Sequence, residues 1–145
     1  MRVSHLRPEN IGHFMALTKT IHDKAWPDVP FDKLSAASSL LDFSQDEQSA
    51  VLTLQEGERQ ALMMLRLVPL QGNSTRLMAC ETAWGATKPA PKRAAERIID
   101  AAQKWAAEHG AFAVSICLGG DTKTADRFIK KHGGEILHTA GTWRL

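Results

Sequence analysis

The stretch Thr75-Arg76-Leu77-Met78-Ala79-Cys80-Glu81-Thr82-Ala83-Trp84-Gly85 decides the fold, together with Ala86-Thr87-Lys88-Pro89-Ala90-Pro91-Lys92-Arg93 and the amphipathic run that follows to Gly110. Arg76 to Trp84 reads as a strand that breaks at Gly85 and enters a turn rich in proline and lysine. Within the run that follows, Ala94, Ile98, Ala101, Ala102, Trp105 and Ala106 recur at helical spacing. Arg97, Asp100, Lys104 and Glu108 take the opposite face, and Gly110 stands where a left-handed cap closes a helix. Phe112 to Leu118 then reads as a buried strand. A strand, loop, helix and strand in this order build a crevice, because the amino terminus of the helix points back at the strand end before it.

On the amino-terminal side, Val3 to Leu6 reads as a short strand and Pro8 opens a helix, where its missing N–H costs nothing. Ile11, Phe14, Met15, Thr18, Ile21 and His22 form the inward face of that helix. Trp26-Pro27-Asp28-Val29-Pro30 interrupts it, and a second helix follows with Leu34, Ala37, Leu40 and Leu41 inward. A broken helical pair of this kind borders a pocket. The period then becomes strand-like from Ala50 to Gln55 and from Arg59 to Val68, around the turn Glu56-Gly57-Glu58. A second turn cluster, Pro69 to Ser74, makes the middle third an antiparallel meander. Beyond Leu118, Asp121 or Thr122 caps a helix with Ala125, Phe128, Ile129 and His132 inward, closed by Gly133-Gly134, and Glu135 to Leu145 is a last strand. Residues 1–145 show no repeat and no linker, which predicts a single domain.

At 145 residues the chain is long enough to bury a core without disulfides or metals. A net charge of +2 and a pI near 8.7, with acids interspersed among the bases, argue against nucleic acid as the partner. Cys80 and Cys117 each lie in an apolar run and read as core residues of a protein kept reduced. The six histidines form no pair at i,i+4 and no zinc pattern, so no metal is predicted. Ser115 and Cys117 lack an accompanying His-Asp pattern, which argues against a nucleophilic hydrolase. No apolar run approaches the ~20 residues of a spanning helix, and Met1 to Leu6 lacks the apolar core of a signal peptide. The expectation is a protein of the cytoplasm, or one packaged into a virion from it.

The order β-α-α-β-β-β-α-β-α-β resembles the GCN5-related N-acetyltransferase (GNAT) superfamily over the whole chain, and from Arg76 to Gly134 by local pattern. Ala106 to Gly110 matches the Ala-x-x-x-Gly that ends the family's cofactor helix. Counting back places the family's Arg/Gln-x-x-Gly-x-Gly/Ala loop on Ala90-Pro91-Lys92-Arg93-Ala94-Ala95, where only Ala95 fits. Thr122 to Ile129 occupies the place of Asn-x-x-Ala-x-x-Phe-Tyr. The resemblance implies an α/β domain with a mixed, mostly antiparallel sheet of about six strands and about four helices. It also implies a split where the Arg76 and Phe112 strands run parallel.

The resemblance further implies a divergent N-acetyltransferase that moves an acetyl group from acetyl-CoA to an amine, carried by a small molecule or a protein. Glu81 is then the general base, because an acid in an apolar run faces a cavity or a partner. The alternative is a carboxylate on the open sheet face, paired with Arg66 or Lys88. Ala83, Trp84, Gly85, Lys92, Arg93, Ala94, Ala95 and Thr122 would contact the cofactor. Trp84 and Gly85 would bind the thioester carbonyl, and Lys92 with Arg93 would replace by charge the amides lost at Pro89 and Pro91. Trp84 would otherwise fill the place of the pantetheine arm. Trp26 and Phe31 wall the acceptor pocket or plug the core edge. The family's leaving-group tyrosine falls on Ile129, and the chain has no tyrosine at all. These departures from the family pattern make the second expectation a catalytically inactive structural or protein-binding component, for example a phage virion protein within an assembly.

Overall fold

Alternation along the strands sorts the apolar residues into two sets, and each set has its own cover. In the computed structural model, which describes residues 2–117, 122–136 and 144, the strands are β1 (Ser4–His5), β2 (Ser49–Glu56), β3 (Arg59–Leu70), β4 (Asn73–Ala86) and β5 (Ala111–Ser115). The described strands form one sheet in the order β1-β2-β3-β4-β5, antiparallel except for the parallel pair β4–β5. Ala50, Leu52, Leu54, Met63, Leu65 and Ala79 pack on one face beneath helix α3 (Ala94–Glu108), which contributes Ile98, Ala102 and Trp105. Val51, Leu62 and Met64 face the other way, against Phe14, Met15, Leu17, Leu40 and Phe43 of helices α1 (Met15–Ala25) and α2 (Lys33–Gln45) and the turn before them. With both faces covered, the central strands read as nearly continuous apolar runs.

Helix α3 and the antiparallel meander stand where the sequence puts them, and Gly110 adopts φ 79 after α3. Pro8 opens a 3-10 helix, Pro8–Phe14, that passes into α1 at Met15. Asp32 caps α2 through the amides of Leu34 and Ser35. Leu34 is not inward: it lies in the first turn beside that cap and is 82% exposed, and the buried stripe starts later, at Leu40 and Phe43. Phe112 is not buried either. It is the extra residue where Leu77 pairs with Ala111 but Met78 with Ala113, and the Arg76 guanidinium covers its ring.

The largest correction concerns Gly85, which does not break β4. The strand runs on to Ala86, held by its ladder to β3. What Gly85 supplies is closeness: a Cβ there would stand 2.4 Å from Cγ1 of Ile21, so the missing side chain lets α1 rest on the sheet. Helix α4 spans Thr122–Lys131, with Ala125, Phe128 and Ile129 half-buried. The expected cap Asp121, the side chain of Thr122, the end of the Phe112 strand at Leu118 and most of the expected last strand, 135–145, lie outside the described residues.

Candidate active site

Pairing between β4 and β5 ends at Cys80 and Ser115, while β4 continues with β3 through Glu81 to Ala86. The two parallel neighbours therefore part at Glu81, and the β4 edge beyond it has no strand partner among the described residues. A bulge accompanies the parting. Leu65 pairs with Glu81 but Met64 with Ala83, so Thr82 is an extra residue that shifts the alternation.

The direction of the backbone groups past the bulge follows from one hydrogen bond. The Thr87 N–H donates to the Gln60 carbonyl at 2.8 Å. Antiparallel residues face their partner in alternation, so Gly85 and Ala83 turn their amides to β3 as Thr87 does, and Trp84 and Ala86 turn theirs outward. Of the two carbonyl contacts expected from the sequence, the Trp84 amide points into the parting and that of Gly85 does not. Ala86 is a donor that the sequence reading missed. The indole of Trp84 is half-buried against the core beneath α3.

Glu81 stands at the mouth of the parting. Its carboxylate is half-buried, and Oε2 accepts the Cys117 N–H at 3.1 Å, replacing the ladder where the strands separate. Pairing with Arg66 or Lys88 is not found. Arg66 stacks over Phe43 with its guanidinium carbon 4.4 Å from the ring centre and donates to Ser49 Oγ at 3.4 Å. Burial pushes the Glu81 carboxyl above the ordinary carboxylate value, and the Cys117 N–H pulls it part of the way back.

At the far end of the loop, α3 begins at Ala94 after Arg93, which takes a left-handed conformation with φ 54. This is where the family pattern has glycine, the residue for which such a backbone is cheapest. Pro89 and Pro91 lack donors, and the Ala94 N–H closes a turn on the Pro91 carbonyl at 3.2 Å. Lys92 donates its N–H to Glu56 Oε2 at 3.1 Å, and Arg97 Nη1 donates to Glu56 Oε1 at 2.6 Å. The Arg97 hydrogen bond, then that of Lys92, hold Glu56 below the ordinary carboxylate value. Arg93 pairs with Glu96. Glu56, at the end of β2, thus joins the candidate site from outside the loop, where the sequence alone reads it only as part of a turn. No acceptor among the described residues takes the N–H of Ala95.

Phe31 is half-buried on the α1–α2 side of the sheet, with its ring centre 5.5 Å from that of His22. Trp26 is 42% exposed, and the Arg144 guanidinium stands over its ring while pairing with Asp28 at 2.8 Å. Ile21 lies against Gly85, and Trp26, the residue that ends α1, follows about 7 Å further along the helix axis. Ile129 lies half-buried on α4. Among the described residues, no three His, Cys, Asp or Glu side chains gather as a metal site, and no helix is long and apolar enough to cross a membrane.

No protein-family model and no curated protein matches the sequence. Solved structures do match the fold. A probable acetyltransferase superposes with a TM-score of 0.76 at 13% identity, over 100% of this chain and 97% of its own. An aminoglycoside N-acetyltransferase, AAC(6')-Iy, in complex with CoA gives 0.74 at 12% identity, over 99% of this chain and 93% of its own. A transcriptional regulator from Bacillus halodurans C-125 gives 0.74 at 12% identity, over 99% and 98%. Identities this low speak for architecture and not for chemistry. With its mixed sheet parting after Cys80, the bulge at Thr82 and α3 laid across one face, the chain has the fold of the GCN5-related N-acetyltransferases.

Proposed function

We propose that the chain is a divergent N-acetyltransferase that transfers an acetyl group from acetyl-CoA to an amine. One observation carries this reading: the edge of β4 past Cys80, which has no strand partner among the described residues, with a half-buried carboxylate of raised pKa at its mouth. The pantetheine end of the cofactor suits that edge, where the outward amides of Trp84 and Ala86 offer donors. The phosphate end suits the loop less well, because Glu56 already takes the Lys92 amide. Lys92 and Arg93 are left to act by charge.

Bound acetyl-CoA would supply the acetyl group as an activated thioester. Glu81 takes the proton of the attacking amine as the new C–N bond forms, a task favoured by a pKa moved toward neutrality. The Trp84 and Ala86 amides stabilise the negative charge that grows on the carbonyl oxygen. The sulfur leaves as a thiolate protonated by water, since the chain has no tyrosine and Ile129 cannot donate. The Trp26 and Phe31 segment borders the side from which the amine enters.

Isothermal titration with acetyl-CoA, followed by thiol release with a panel of small amines and lysine peptides, tests this reading. Saturable binding is expected, weakened at least about tenfold by Lys92→Ala with Arg93→Ala. No binding at millimolar acetyl-CoA removes the proposal. The internal carboxylate at the loop favours a second reading, a non-catalytic protein-binding scaffold. That reading predicts co-purification with a defined partner and no thiol release with any amine.

A further inference from the structure

We propose that Glu56 is a built-in occupant of the phosphate position at the start of α3, closing the loop until a polyanion displaces it. Glu56 ends β2, 36 residues before Lys92 and 41 before Arg97, so its two hydrogen bonds form a tertiary clamp and not a local cap. Arg97 Nη1 also donates to the Lys92 carbonyl at 3.3 Å, which draws hairpin, loop and helix together at one point. A carboxylate offers two acceptor oxygens and a negative charge to a helix start, the same features by which a phosphate binds there. An arriving phosphate thus needs the donors that Glu56 holds and meets its charge at close range. Two prolines and the turn at Ala94 leave the loop few donors to spare. The clamp is within reach of solvent, with the Arg97 and Glu56 side chains 26% and 28% exposed, so displacement requires no unfolding.

The inference rests on the proposed cofactor reading only in naming acetyl-CoA as the displacing ligand, so the test begins with inorganic pyrophosphate. Calorimetric titration of Glu56→Gln is expected to show pyrophosphate bound at least about tenfold tighter than by the wild-type protein, with circular dichroism unchanged. Glu56→Asp keeps the charge but is one methylene too short to reach both donors. It is expected to gain affinity as well, and it decides the matter if the neutral variant does not fold. Glu58→Gln removes the same charge from the same turn and is expected to change affinity by no more than about twofold. Equal or weaker pyrophosphate binding in both Glu56 variants, or an equal gain in Glu58→Gln, overturns the proposal. Acetyl-CoA should share the gain in Glu56→Gln, and S-acetylpantetheine, which lacks the phosphates, should not. If no variant binds S-acetylpantetheine or acetyl-CoA while pyrophosphate binding still rises, the cofactor reading fails and the role of Glu56 stands.

Discussion

Glu56 and Glu81 each accept a backbone N–H at 3.1 Å, from Lys92 and from Cys117, yet their protons are held in opposite ways. Beside Glu56 the Arg97 guanidinium stands at 2.6 Å, and the carboxyl is held in its charged form. Glu81 makes no ion pair among the described residues, and burial pushes its pKa up. The contrast shows how one residue type yields two devices in one domain. A carboxylate with a cation is a fixed anion, and one without a cation is ready to take a proton.

The sharpest way to break that contrast is Glu81→Gln, which keeps an acceptor for the Cys117 amide but cannot hold the amine's proton. Acetyl transfer is expected to fall by about 10²–10⁴ with acetyl-CoA affinity nearly unchanged. Steady-state kinetics showing a loss of affinity alone would make Glu81 a brace like Glu56. Next in size is Gly85→Ala, which forces Ile21 off the sheet behind the parting. It should cost about 1–3 kcal/mol, read by thermal or urea unfolding. A neutral result would mean that the α1 face does not set the shape of the β4 edge.

Stability against pH gives a smaller effect whose sign differs between the two carboxylates. Glu81 binds its proton more tightly folded than unfolded, so its contribution is full at low pH and is lost as pH rises toward the folded pKa. Glu81→Gln should therefore be more stable than wild type at neutral pH, by no more than about 1 kcal/mol, with the advantage gone below the ordinary carboxylate range. Glu56 has the opposite sign. Its contribution is present above the ordinary value and lost as pH falls through the depressed folded pKa, so Glu56→Gln should be less stable at neutral pH and equal at low pH. Melting curves of the pair across pH that shift in the same direction would abolish the distinction. Leu34→Ala, exposed and remote from both carboxylates, should change stability by less than about 0.5 kcal/mol.

The frame of this fold was legible because its signals are local. The stripe of α3, the Gly110 cap and the apolar runs of β2 and β3 each lie within one element. Glu81 was legible for a related reason, an acid standing in an apolar run. The errors arose where a local sign has a distant cause. Gly85 reads as a breaker until Ile21, from another element, is seen against it. Leu34 fits the helical period, but its place beside the Asp32 cap puts it in solvent. Glu56 carries no signal for its role, because its partners lie on the far side of two strands of chain. The extra residue Thr82 was invisible too, since a bulge is defined by what the opposite strand does.

That single unmatched residue has a reach beyond its own position. Ala79 and Trp84 are an odd number of residues apart yet pack on the same core, which an unbroken pleat does not permit. With Thr82 taken into the ladder as an ordinary partner of Met64, everything downstream on that strand would exchange inside for outside, moving the indole to the opposite layer and changing which amides look outward. The geometry of the opening is therefore written as a frameshift in three dimensions, one amino acid long.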